Sequence, residues 1–98
     1  MLKSVRWSSF ASKDLSNLLD YLEAKWNKKV SLNFIEKLDH SIHQIQINPA
    51  QFPHFNASLQ IRKCVITKHN SLFYRVTSTR IEILRLYDTR QNPNDFSF

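Results

Sequence analysis

The chain has 98 residues, which is enough for one domain with a modest hydrophobic core but too few for two. Glycine is absent, which argues against the glycine-rich phosphate loops of nucleotide-binding enzymes and against the glycine-containing RRM and KH signatures of RNA-binding modules. The formal net charge of +6 favours an acidic or polyanionic partner.

The first predicted elements are a strand and a helix. Residues 2–7 alternate in part between apolar and polar side chains, which predicts a short strand. Apolar residues up to Trp26 then recur at helical spacing, so an amphipathic helix is expected to begin at Ser9 or Ser12, either of which can cap it. Asp14 would lie in the first turn, where the helix dipole favours a carboxylate.

A second amphipathic helix is predicted after a polar break at residues 27–29. Its apolar residues recur from Val30 to Ile45 at steps of four and then three, and Pro49 ends the pattern. Because the break is short, the two helices are expected to pack as an antiparallel hairpin.

The second half of the chain changes to strand periodicity. Residues 49–58 contain prolines and other turn formers and are predicted to form a loop. Residues 59–67, 72–77 and 80–87 are rich in β-branched and aromatic residues, which predicts a three-stranded antiparallel meander. Together these elements predict a single α+β domain over residues 1–98, in which the helical hairpin covers one face of the sheet.

The other face of this sheet is the expected functional surface. Residues 60–98 hold seven basic and three acidic residues, whereas residues 1–59 hold seven and five. This face is expected to carry some of the following basic residues: Arg62, Lys63, Lys68, Arg75, Arg80, Arg85 and Arg90. Basic side chains on an open sheet face suit phosphates or carboxylates.

Several polar or reactive positions have competing structural explanations. His40 and His43 have a spacing that suits a metal ion, but they fall on the solvent side of their helix, and no metal site is expected. Cys64 is expected to be a small buried side chain, and a lone cysteine fits a reducing cytoplasm. His69 lies in a predicted turn and is a candidate for a general base, with an inert exposed histidine as the alternative. Tyr87 is the best candidate for an exposed aromatic beside the arginines.

A further pattern lies in the order and spacing of residues along nearly the whole chain. It comprises Ala11, Asp14, Leu15, Tyr21, Leu22, Trp26, Phe34 and Leu38, then Asn48-Pro49, then Ile61-Arg62-Lys63, Tyr74-Arg75-Val76, residues 81–85 and the polar run at residues 88–93. Taken together, this pattern resembles that of the RelE/ParE toxin family.

The resemblance implies a toxin of a bacterial type II toxin–antitoxin module, of the kind linked to plasmid stabilization, which inhibits growth when released. It implies a helical hairpin against an antiparallel sheet, no cofactor, and a cognate antitoxin whose acidic, helix-prone segment wraps the toxin. The first ten residues lack the apolar run of a signal peptide, and no stretch has the apolar length of a membrane span. A cytoplasmic protein without a membrane partner is therefore expected.

Members of this family act on two different targets. Some cut messenger RNA on the ribosome by attack of the ribose 2′-hydroxyl, which requires proton transfer and cations, and others poison DNA gyrase. Arg62 matches a basic position of the RNA-cleaving members and Arg90 lies near a second, so the resemblance makes both candidate catalytic residues. Cys64 and Ser71 stand where those members tend to have basic residues, and the late tyrosine of those members is missing. The resemblance therefore favours gyrase as the target, with ribosome-bound messenger RNA as the alternative.

Four residues are predicted to bind the target or the antitoxin: Lys63, Arg75, Arg85 and Tyr87. Two alternatives stay open. Arg62, Arg75 and Arg90 could instead form structural pairs with Asp88 or Glu82. A basic nucleic-acid-binding module without toxicity would also explain the charge.

Overall fold

The computed structural model describes residues 2–88 and residue 98. The elements in chain order are β1 (Ser4–Trp7), α1 (Ser9–Lys25), α2 (Lys28–Ile47), a 3-10 turn (Pro49–Gln51), β2 (His54–Asn56), β3 (Ile61–Thr67), β4 (Asn70–Val76) and β5 (Arg80–Asp88). The predicted α+β fold is confirmed. In the part of the chain that the structure describes, no helix is both long and apolar enough to cross a membrane.

Helix α1 begins at Ser9, the earlier of the two predicted starts. The predicted caps, Ser9 and Ser12, are wrong: the side-chain oxygen of Ser8 accepts a hydrogen bond from the backbone N–H of Ala11 at 3.0 Å, which makes Ser8 the N-cap. The same hydroxyl donates to the carbonyl oxygen of Leu84 at 2.8 Å and ties the start of the helix to β5. Asp14 consequently lies beyond the first turn, and the prediction that it complements the helix dipole there is wrong.

Helix α2 follows α1 after a short link at Trp26 and Asn27. The side chain of Asn27 accepts a hydrogen bond from the N–H of Val30 at 3.0 Å, so the cap lies inside the predicted polar break and the helix starts early. The helix ends before Pro49, as predicted, because proline cannot continue the hydrogen-bond ladder. The two helices pack against each other as the predicted hairpin.

The five strands form one sheet in the order β1-β5-β4-β3-β2. Strands β3, β4 and β5 form the predicted antiparallel meander. Strand β1 lies at one edge and runs parallel to β5, with Val5 opposite Ile81 and Trp7 opposite Ile83. The long connection between these two strands permits this pairing, which a short turn cannot make.

The predicted loop at residues 49–58 contains the 3-10 turn and strand β2. Strand β2 pairs antiparallel with β3, with His54 opposite Arg62, in an irregular register. A strand of this length shows no clear alternation of apolar and polar side chains, and it forms because it pairs with β3. The prediction of a loop is therefore wrong for residues 54–56. In the turn that follows, Gln60 has a φ of 57°, a left-handed conformation that glycine adopts with less strain.

The core lies between the helical hairpin and one face of the sheet. Its members are Ala11, Phe34, Leu38 and Ile45 from the helices and Cys64, Leu72, Tyr74, Ile81, Ile83 and Leu86 from the strands. Cys64 is 2% exposed, which confirms the prediction of a small buried side chain. Because successive strand residues point to opposite faces, these core positions also determine which side chains lie on the face away from the helices.

Candidate functional site

The face of the sheet away from the helices is called the outer sheet face. Lys63 lies opposite Phe73, and Arg75 lies opposite Glu82. Lys63, Phe73 and Arg75 each adjoin a core residue in their own strand, so their side chains point away from the helices. The outer sheet face is defined by Arg6, Lys63, Phe73, Arg75, Arg80, Glu82 and Tyr87. Basic side chains outnumber acidic ones in this set, which suits an acidic or phosphate-bearing partner.

An aromatic cluster lies at the centre of the outer sheet face. Phe73 is 2% exposed because other rings cover it, with centroid distances of 4.7 Å to Phe55, 5.5 Å to Phe98 and 6.0 Å to Tyr87. Phe55 is itself 52% exposed. Tyr87 is half-buried against Phe73 rather than free in solvent. The face therefore has an apolar centre with basic side chains around it.

Arg62 lies on the helix side of the sheet and not on the outer sheet face. Its register partner is Tyr74, which is a core residue. The Nη1 atom of Arg62 donates to the carbonyl oxygens of Phe52 at 2.6 Å and Ala50 at 3.3 Å. Arg62 therefore holds the segment that leads from α2 into β2, and these acceptors are backbone carbonyls rather than the carboxylates of the predicted structural pairs.

We expect Arg62→Met to lower the free energy of unfolding by about 1–3 kcal/mol, because it removes a charged donor from two carbonyl oxygens while keeping most of the side-chain volume. Urea denaturation measures the change. Lys63→Met is the matched control on the outer sheet face, since the Lys63 side chain has no hydrogen bond to the described residues. Equal losses in the two variants would contradict the structural role of Arg62.

Tyr74 and Cys64 lie in the core beside Arg62, and both are kept in their neutral forms. The Tyr74 hydroxyl donates to the carbonyl oxygen of Pro49 at 2.7 Å. Burial raises the pKa of Tyr74 far above its usual range, and the charge of Arg62 opposes this only in part. Burial also raises the pKa of the Cys64 thiol, against a smaller lowering by a hydrogen bond with Ser41. Neither group is ionised near neutral pH.

The predicted catalytic residues are not brought together in the described structure. His69 lies in the exposed turn between β3 and β4, where its backbone N–H donates to the side-chain oxygen of Thr67 at 3.3 Å. Arg62 lies near the other end of β3, about 16 Å along the strand from Thr67, which precedes this turn. Arg90 lies outside the described residues. Arg62 and His69 therefore do not form a pair that could act on one phosphate.

Arg85 forms a two-point ion pair with Asp14 of α1. The distances are 2.8 Å from Nε to Oδ2 and 3.0 Å from Nη2 to Oδ1, and the side chains are 12% and 15% exposed. Oδ2 of Asp14 also accepts the backbone N–H of Leu86 at 3.1 Å, and the ring of Phe10 lies 5.2 Å from the guanidinium carbon. Arg85 thus holds α1 against the end of β5, and its contact with a partner stays a prediction.

The other predicted residues stay near the surface. On the outer sheet face, Nε of Arg75 donates to the carbonyl oxygen of Leu59 at 3.0 Å. His40 and His43 are exposed on α2. Within residues 2–88 and residue 98, no three His, Cys, Asp or Glu side chains are grouped so that they could hold a metal ion. The binding roles of Lys63, Arg75 and Tyr87 stay predictions.

The fold and the sequence together identify the family. A sequence model described as the ParE toxin of the type II toxin–antitoxin system, parDE, matches residues 5–93. The chain belongs to this ParE toxin family. The match includes every helix and nearly all of the sheet, and the predicted resemblance to RelE/ParE toxins is confirmed. None of the curated proteins matches the chain in sequence.

Solved structures with a similar fold come from several bacterial toxin–antitoxin systems. The chromosomal ParDE system of P. aeruginosa is 19% identical with a TM-score of 0.76, covering 91% of this chain and 98% of that one. The DinJ–YafQ complex of E. coli is 17% identical with a TM-score of 0.60, covering 90% and 93%. The RelBE2 complex of Mycobacterium tuberculosis is 17% identical with a TM-score of 0.58, covering 90% and 99%. At these identities the similarity establishes the fold that this ParE-family chain shares with them.

Proposed function

We propose that this ParE-family toxin stops bacterial growth by binding DNA gyrase rather than by cutting messenger RNA, and that a cognate antitoxin neutralises it. The observation that carries the proposal is the position of Arg62. Among the described residues, Arg62 is the one that matches a basic position of RNA-cleaving family members. Its guanidinium donates to the carbonyls of Phe52 and Ala50 on the helix side of the sheet. An arginine engaged in this way supports a structural rather than a catalytic role.

The chemistry of RNA cleavage supports the same preference. Attack by the ribose 2′-hydroxyl needs a proton acceptor, a proton donor for the leaving oxygen, and cations beside the phosphate. In the described part of the chain, Tyr74 and Cys64 keep their protons inside the core, and His69 lies in the turn beyond the end of β3 that is farther from Arg62. This arrangement favours an activity that rests on binding.

The outer sheet face is the surface that we propose contacts gyrase. Its centre is the ring of Phe73 under the partly exposed Phe55, and an aromatic centre of this kind is typical of the residues that dominate binding energy at protein interfaces. Lys63, Arg75 and Arg6 lie around it and favour an acidic protein surface, since complementary charge speeds association and selects partners.

The proposed antitoxin partner is supported by charge and by the relatives. A net charge of +6 favours an acidic, helix-prone antitoxin segment. The E. coli DinJ–YafQ structure and the M. tuberculosis RelBE2 structure are both toxin–antitoxin complexes. We expect a small open reading frame beside the toxin gene to encode this partner, and its product should restore growth when the two are co-expressed.

We expect the purified toxin to inhibit the supercoiling of relaxed plasmid by gyrase. Lys63→Glu should weaken this inhibition by about tenfold or more, because it places a negative charge opposite an acidic target surface. Lys29→Glu makes the same charge change at an exposed position of α2 and should leave the inhibition within about twofold.

Other results would overturn this proposal. Normal supercoiling at saturating toxin would remove gyrase as the target. New 5′ ends of messenger RNA within translated codons, absent in Arg90→Ala, would show ribosome-dependent cleavage instead. Unaffected growth, together with nucleic-acid binding that weakens steeply with salt, would indicate a basic binding module without toxicity.

A further inference from the structure

The aromatic cluster on the outer sheet face contains one ring that does not come from the sheet. Phe73 lies in β4, and the rings of Phe55 and Tyr87 beside it come from β2 and β5. Phe98 belongs to no helix or strand and lies ten residues beyond Asp88, where β5 ends. Its ring centre is 5.5 Å from that of Phe73 and 5.9 Å from that of Phe55. Phe98 therefore returns to the centre of the outer sheet face.

The rings of Phe55 and Phe73 form a site for one further aromatic side chain, called the ring site. Phe98 meets Phe73 at an interplanar angle of 75°, an edge-to-face geometry that aromatic pairs prefer. Phe73 is 2% exposed, whereas Phe98 is 41% exposed. Phe98 is thus the outer ring of the pair, and the ring site is occupied in the free toxin by a side chain of the toxin itself.

Phe98 can leave the ring site without disturbing the sheet. Phe55 lies in a strand that pairs with β3, and Tyr87 lies opposite Ser71 in the pairing of β5 with β4. Phe98 takes part in no strand pairing, so its departure breaks no hydrogen bond of the sheet. It would, however, expose apolar surface of Phe73 to water, which is unfavourable. A partner that brings its own ring to this site removes that cost.

Basic side chains give the ring site a preference for acidic neighbours. Lys63 lies opposite Phe73 in the register of β3 and β4 and has no ion pair with the described residues. Arg75 donates from Nε to the carbonyl oxygen of Leu59, and its two Nη atoms make no hydrogen bond within residues 2–88 and residue 98. An aromatic side chain with carboxylates next to it would fill the ring site and pair with both cations.

We propose that the ring site receives an aromatic side chain of the target, flanked by acidic residues, and that Phe98 occupies this site until the target displaces it. This inference rests on the proposed function, because the target surface is the one that we propose on gyrase. Since Phe98 belongs to the toxin, the target binds only the fraction of toxin in which the site is open, and its apparent affinity falls in proportion.

The test removes the ring of Phe98 and measures the inhibition of gyrase supercoiling. We expect Phe98→Ser to lower the toxin concentration needed for half-inhibition by about threefold to tenfold, since one or two aromatic contacts then no longer compete with the target. Phe98→Trp offers a larger ring to the same site and should raise that concentration.

The control and a second readout do not depend on the identity of the target. Leu32→Ser removes an apolar side chain that is 50% exposed on α2, on the other side of the sheet, and should leave the inhibition within about twofold. Growth arrest is measured in parallel at equal amounts of induced protein. Phe98→Ser should stop growth at a lower amount of protein than the unmodified toxin does. Circular dichroism establishes that each variant is folded.

The outcomes separate this inference from the proposed function. If folded Phe98→Ser inhibits gyrase equally or more weakly than the unmodified toxin, Phe98 does not compete with the target and the inference is overturned. If both proteins stop growth while gyrase is unaffected, the gyrase proposal fails. Growth then decides on the ring site: stronger arrest by Phe98→Ser supports it with another target, and equal or weaker arrest overturns it. Absence of growth arrest and of gyrase inhibition in both proteins would overturn both proposals.

Discussion

Asp14→Ala is expected to lower the free energy of unfolding by about 3–5 kcal/mol, which is a large part of the stability of a small domain. The Asp14 and Arg85 side chains are 15% and 12% exposed, so removing the carboxylate takes two charge-assisted hydrogen bonds away from a nearly buried guanidinium. The backbone N–H of Leu86 loses its acceptor at the same time. Urea denaturation followed by circular dichroism measures the change.

The matched control is Asp20→Ala, an exposed position on the same helix, for which we expect a change within about 0.5 kcal/mol. The double variant Asp14→Leu with Arg85→Met should recover much of the lost stability, because a buried ion pair replaced by apolar side chains costs far less than a broken one. A loss in Asp14→Ala no larger than that of the control would show that the ion pair contributes little.

The position of this ion pair explains its importance for the site. Strand β1 pairs with β5 only as far as Ile83, so the following residues of β5 have no strand on that side. At Leu86 the carboxylate of Asp14 accepts the backbone N–H hydrogen bond that a neighbouring strand would otherwise accept. The end of β5 carries Tyr87, which belongs to the outer sheet face and also lines, with Asp88, a groove between α1 and β5. Loss of the Asp14 contact should therefore loosen this end of the outer sheet face, which we propose as the binding surface.

The elements that sequence analysis predicted correctly are those with long local patterns. The 3.6-residue periodicity extends over many turns of α1 and α2, and strands β3 to β5 have clear composition with turn formers between them. Strand β2 has three residues and forms only because β3 lies beside it. The pairing of β1 with β5 joins residues at the two ends of the chain, and no local pattern reports such a contact.

The residues of the candidate site also fall into two groups, those whose position the sequence could predict and those whose position it could not. Arg62 could have been assigned to the helix side from the sequence, because it lies two positions before Cys64, which was predicted to be buried, and alternate strand residues share a face. The Asp14–Arg85 pair could not, since 71 residues separate its members. The two grooves that Asn70 lines beside α1 could not be predicted either, because they are assembled from two helices and the ends of three strands.

The second large effect is expected at alkaline pH, where the protein should lose stability through Cys64 and Tyr74. In the unfolded chain these groups ionise around their ordinary pKa values of 9.0 and 10.0. In the folded chain burial raises the pKa of both, so the folded state keeps protons that the unfolded state releases. The contribution of these two groups to the free energy of unfolding is then constant below about pH 8 and falls as the pH rises, by up to about 1.4 kcal/mol per pH unit for each group.

Two variants separate the contributions of Cys64 and Tyr74 to this loss of stability. Urea denaturation at a series of pH values measures the loss. Cys64→Ala should flatten the stability profile between pH 9 and 10, and Tyr74→Phe should flatten it above pH 10, each relative to the unmodified chain. Lys68→Met, at an exposed position, should leave the shape of the profile unchanged. If all three variants lost stability with the same pH dependence as the unmodified chain, the loss would come from the general decline in positive charge. In that case neither buried group would hold its proton more tightly in the folded state than in the unfolded one.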